Sequence, residues 1–108
     1  MKPADTYLVV LVTAPTMEAA RSLAQAALTG RYAACANLIP HIESHYWWQG
    51  QLESNAEVLV VFKTVKERAA ELESCILANH PYDTPEFVIL PCNGGNQKYL
   101  DWLSASVT

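Results

Sequence analysis

At 108 residues, 51% hydrophobic and only 17% charged, the chain has room for one domain, residues 1–108, and too few charges to keep a lone copy's surface wet, so an obligate oligomer is expected. A net charge of −4 with no Lys/Arg cluster argues against nucleic acid as a partner, and no apolar run is long enough for a membrane span. Three cysteines, Cys35, Cys75 and Cys92, make no C-x-x-C pair, and nothing in residues 1–7 has a secretory pattern, so reduced thiols and a cytoplasmic location are expected.

Residues 7–13 form a continuous β-branched and apolar run, which predicts a central strand covered on at least one face. Ala14-Pro15 stops it. Thr16 then caps a helix with Glu18 in its first turn, and Ala20, Leu23, Ala24, Ala27 and Leu28 recur at helical spacing until Gly30, expected to supply a left-handed exit. Residues 33–48 predict a long strand bent at Pro40. Gln49-Gly50 turns the chain, and residues 52–64 return as the hairpin partner, with Val58-Leu59-Val60-Val61-Phe62 as its most buried part. A helical period resumes over residues 65–78 through Val65, Ala69, Leu72 and Ile76, and ends at Asn79-His80-Pro81. Residues 87–90 give a short fourth strand, Asn93-Gly94-Gly95-Asn96 a turn, and residues 97–104 a tail helix.

Two helices separated by a central hairpin define an α+β fold, a ferredoxin-like split β-α-β sandwich with a C-terminal helix. Both helices fall on one sheet face, so the other must meet solvent or another subunit. Trp47 and Trp48 are neighbours in a strand and point to opposite faces; only one can enter its own core, and the other is expected to fill a neighbour's groove.

Few residues offer chemistry. His41, Glu43 and His45 share one strand face; adjacent pairs, about 6.6 Å apart, could share a metal, whereas the outer two, about 13 Å apart, could not. The favoured reading is polar residues on the wet face of a hairpin. Cys35, within Ala33-Ala34-Cys35-Ala36-Asn37, reads as a packed thiol, because no local cation or helix N-terminus would activate it. His80-Pro81-Tyr82-Asp83-Thr84-Pro85-Glu86 fits either a binding loop or a rigid connection, since two prolines order its polar side chains at low entropic cost. No G-x-S-x-G, H-E-x-x-H or G-x-x-x-x-G-K-[ST] motif occurs and no nucleophile–base pair stands out, so an enzyme is not expected.

Over residues 7–103 the chain resembles the CutA divalent-cation tolerance family. The resemblance rests on Val12-Thr13-Ala14-Pro15, Ala33-Ala34-Cys35-Ala36-Asn37, Tyr46-Trp47-Trp48-Gln49-Gly50, Glu57 with Lys63-Thr64, the His80 to Glu86 segment, and Gly95-Asn96 with Tyr99-Leu100 and Trp102. It implies a tight homotrimer whose hairpins extend each sheet into the next subunit, with Tyr46, Trp47 and Trp48 at the interface, and a link to copper or other divalent cations. The copper ligands of some members correspond here to Val12, Asn79 and His80, of which His80 alone can ligate a metal. The metal candidates are therefore His80, with Cys35 and Glu86. Such a trimer is also similar to the PII signalling proteins, and on that reading Lys63, Tyr82 and Glu86 would line an intersubunit cleft for a small anionic or nucleotide ligand. A purely structural or interaction trimer is the third reading.

Overall fold

The computed structural model describes residues 1–4 and 6–108. A two-residue strand β1 (Lys2–Pro3) precedes the first long apolar strand, β2 (Tyr7–Ala14). Thr16 caps helix α1 (Met17–Thr29) by accepting from the Ala19 amide at 3.1 Å. The long hairpin follows as β3 (Cys35–Trp48) and β4 (Gln51–Val65), then a 3₁₀ turn (Lys66–Arg68), helix α2 (Ala69–Asn79), and the short strands β5 (Val88–Pro91) and β6 (Gly94–Gly95). Helix α3 (Gln97–Ser106), capped by Asn96, ends the chain.

The main sheet has the order β3-β4-β2-β5 and every neighbouring pair is antiparallel, as the split β-α-β pattern requires. Alternation sorts the side chains. Leu8, Val10, Val12 and Ala14 of β2 and Val58, Val60, Phe62 and Thr64 of β4 are buried. All but Leu8 and Thr64 belong to one core with Ala20, Leu23 and Ala27 of α1 and Leu72 and Ile76 of α2. The Thr64 hydroxyl, fully buried, donates to the Tyr32 carbonyl at 2.6 Å. On the opposite face Val9, Leu11, Leu59 and Val61 are only half-buried, and α3 covers that face at one end alone, where Leu100 and Leu103 pack with Tyr7 and Val65.

Pairing between β2 and β4 ends at Ala14 opposite Val58. Beyond it the hairpin continues as a two-stranded ribbon, reaching its tip at Gln49 (φ 50°) and Gly50 (φ 78°), the two left-handed residues of a tight turn whose twist matches the strands. A register shift at Pro40-His41, with His41 at φ 62°, bends β3 where the ribbon leaves the body. The molecule extends 44 Å along its long axis and exposes 6611 Å², against about 6,000 Å² for a compact chain of this size.

Four expectations are corrected. Gly30 is right-handed (φ −78°), and Arg31 (φ 58°) makes the left-handed exit; a Cβ at Gly30 would meet the Tyr32 ring at 2.3 Å, so the ring would have to shift. Val65 ends β4 opposite Tyr7 instead of opening a helix, because its apolar partners lie under α3. Gly94–Gly95 is a strand paired with Lys2–Pro3, made possible by the small side-chain volume beside Met1 and Leu100. Neither Trp47 nor Trp48 enters the core: they are 70% and 42% exposed, because the ribbon projects past both helices.

Candidate functional site

Where β2 stops, β4 loses a neighbour, and the loop between α2 and β5 fills that place. His80 fastens the loop. Its Nε2 lies 2.7 Å from the Thr13 carbonyl, which can only accept, and its Nδ1 lies 3.0 Å from the Tyr82 amide, which can only donate. The ring is therefore the neutral Nε2–H tautomer with both nitrogens engaged, and it leans on the Tyr82 ring at 4.8 Å between centroids. Tyr82, so aimed, donates its hydroxyl to Glu57 Oε2 at 2.7 Å.

These contacts form one wall of an open cleft of about 970 Å³ between the loop and the ribbon. Four carboxylates line it, Glu43, Glu57, Asp83 and Glu86, with His45, Thr13, Ser44 and Thr84 as further polar groups. Aromatic surface comes from Tyr46, Trp47, Trp48 and Tyr82. Among the described residues no Lys or Arg lines it. Glu57 is 7% exposed, whereas Glu43 and His45, paired at 2.6 Å, stand well out in solvent. Burial, and then the bond to Glu57, push the Tyr82 phenol well above its ordinary value, so it stays a proton donor. Glu86 is exposed on the rim; desolvation against the cleft wall, and then the Glu57 charge, raise its carboxyl.

The candidates from the sequence separate into two groups. Tyr82 and Glu86 lie in the cleft, with His80 behind Tyr82 as its support. Cys35 and Lys63 face each other across β3 and β4 at the other end of the sheet, where Asn37 accepts from the Lys63 ammonium and, at 3.6 Å, from the Cys35 thiol. Lys63 pairs with Val9, four residues from Thr13, so Cys35 and His80 are separated by about 13 Å along the strands and share no site within one chain. Tyr46, Trp47 and Trp48 lie on the ribbon with substantial exposure. Val12 and Asn79 offer nothing to a metal: Val12 is fully buried under the helices, and the Asn79 amide bonds back to the Cys75 carbonyl at 2.8 Å. Among the described residues no three of His, Cys, Asp and Glu are grouped to hold a metal ion.

Sequence reasoning passed over Glu57 as a site residue. Besides its place among the residues of the family resemblance, it was marked as a carboxylate directly against the most apolar run of the chain, out of phase with Val58, Val60 and Phe62. Thr13 had only the first of these signals and Ser44 neither.

A family model described as CutA1 divalent ion tolerance protein matches residues 8–106. The chain belongs to that family. It is 46% identical over 99 residues to the protein named CutA 1, chloroplastic, of Oryza sativa subsp. japonica, covering 92% of this chain and 56% of the rice protein. The divalent-cation tolerance protein CutA of Escherichia coli O45:K1 is 44% identical over 102 residues, covering 94% of this chain and 91% of that one. The chain thus spans a little over half the length of its plant relative and nearly all of its bacterial one. Among solved structures, a divalent cation tolerance protein (Cut A1) from Thermus thermophilus superposes with a TM-score of 0.90 at 42% identity, covering 93% of this chain and 97% of that one. The protein described as periplasmic divalent cation tolerance protein CutA from Archaeoglobus fulgidus gives 0.91 at 34% identity, covering 94% and 99%. The CutA resemblance and the α+β subunit expected from the sequence are both borne out. Among the described residues no helix is long and apolar enough to cross a membrane.

Proposed function

We propose that this CutA-family chain acts as a homotrimer that responds to divalent cations, copper foremost, by binding them weakly at the mouth of the acidic cleft. One observation carries the reading: four carboxylates and an imidazole line one cleft that no Lys or Arg lines among the described residues, Glu43 and His45 from the ribbon face opposite Glu57. The exposed His45–Glu43 pair is the best first anchor, since one imidazole nitrogen and a carboxylate suit Cu²⁺, and the remaining ligands come from a neighbouring copy. His80 serves as a support, its nitrogens being already engaged. An anionic effector in this cleft is disfavoured by the sign of its charge, and Lys63 lies elsewhere. The proposed role is binding without catalysis. Three free cysteines support a reducing compartment such as the cytoplasm.

Assembly is supported by the exposed apolar side chains Ile39, Trp47, Leu52, Val88 and Leu90, and by a two-stranded ribbon that is marginal in water on its own. Calorimetric titration with Cu²⁺ tests the ion site: His45→Ala should abolish most of the heat and His80→Ala should leave it. Undiminished heat from the His45 variant would overturn the anchor. Sedimentation equilibrium tests the assembly, for which a folded single subunit at micromolar concentration would be fatal.

A further inference from the structure

The wall around Glu57 differs from the solvent-washed mouth of the cleft. Glu57 is 7% exposed and forms no ion pair among the described residues. Its Oε2 accepts from Tyr82; its Oε1 makes no hydrogen bond among those residues. No buried side-chain polar atom among them lacks a partner, so Oε1 opens into the cleft. A carboxylate held in this way, out of bulk water and without a counter-cation, is costly unless a cation meets it.

Its surroundings limit what that cation can be. Among the described residues no three of His, Cys, Asp and Glu are grouped around Glu57 to hold a metal ion, and the imidazole of the cleft, His45, pairs with Ser54 on the ribbon face opposite Glu57. Tyr82 and Tyr46 instead present aromatic rings and hydroxyl groups; Tyr46 lies on the same ribbon face as Glu57, and its hydroxyl is already held by Asn55. Aromatic rings beside a buried carboxylate suit an ammonium carried on an alkyl chain, which gains ion pairing, N–H donation and cation–π attraction at once. Asp83 at the rim offers a second anionic place in the same cleft. Its volume of about 970 Å³ lies within the range of small-molecule sites.

We propose that this cleft is a binding site for a primary alkylamine of the di- or polyamine class, one ammonium meeting Glu57 Oε1 and Glu86 between Tyr46 and Tyr82. The site shares with the metal reading only the negative charge of the cleft and needs no metal. Titration of the assembled protein with putrescine, in EDTA at fixed ionic strength, tests it. Saturable binding is expected, weakened about tenfold or more by Glu57→Gln and about threefold by Glu86→Gln, whose exposed position keeps the fold out of question. Glu67→Gln, on the 3₁₀ turn away from the cleft, should bind as the parent does. Absence of saturation, or equal binding by all three variants, would overturn the proposal and reduce any affinity to general attraction by net negative charge. Sedimentation of the same sample separates this failure from a failure of the trimer, and EDTA separates it from a failure of the copper site.

Discussion

Strand β4 passes through two environments. Its residues 58–65 run between β2 and β3 beneath two helices, and every second side chain is buried. Among the described residues, its residues 51–57 have β3 as their one paired strand, and six of the seven are exposed. The same strand with the same partner is thus core in one half and projecting ribbon in the other. The difference lies in what packs on the faces. Burial of apolar area stabilises the body within one chain, whereas the ribbon can recover it only against another. Glu57 sits at the junction, and there the cleft forms.

The largest expected break in this comparison is Phe62→Ala, which empties the biggest fully buried side chain and should cost about 3–5 kcal/mol in urea unfolding. Its counterpart on the ribbon is Leu52→Ala. With Leu52 67% exposed, the circular dichroism of the subunit should be unchanged while sedimentation moves toward smaller species. Equal losses of secondary structure from both would erase the distinction between body and ribbon. At the junction, Tyr82→Phe deprives buried Glu57 of its donor and should cost about 1–3 kcal/mol, measured in the same way. Thr16→Ala removes the cap of α1 and should cost about 1 kcal/mol.

The smallest effect belongs to Glu86. Its carboxyl is raised above 4.5 in the folded chain, so the folded state holds the proton more tightly than the unfolded state does. That contribution is complete below pH 4.5 and is lost as pH rises through the folded value, softened by solvent at this exposed rim. Glu86→Gln should therefore become more stable relative to the parent as pH rises above about 4.5. Parallel stability curves for the two proteins would show that the carboxyl is unperturbed.

Much of the body could be read from residue order, because period and punctuation are local. The alternation of Val58, Val60 and Phe62, the helical spacing of Ala20, Leu23 and Ala27, and the Gln49-Gly50 turn each follow from nearest neighbours in sequence. Boundaries failed where a distant group decided them. Val65 remained a strand residue because α3 covers it, and the Tyr32 ring stands where a Cβ on Gly30 would point. The loop of two prolines stood out as a site or a connection, and the structure makes it both, since His80 ties it down and Tyr82 reaches into the cleft.

The amino-acid order alone accounts for the arrangement of strands and helices, the shortage of surface charge and the family, since each depends on residue type and on spacing along the chain. The chemistry of the cleft was settled only in three dimensions. Glu57 and Tyr82 are 25 residues apart, and His80 and Thr13 are 67 apart. Whether a carboxylate is buried, or an imidazole is free to bind a metal, depends on which groups stand within hydrogen-bond reach once the chain has closed.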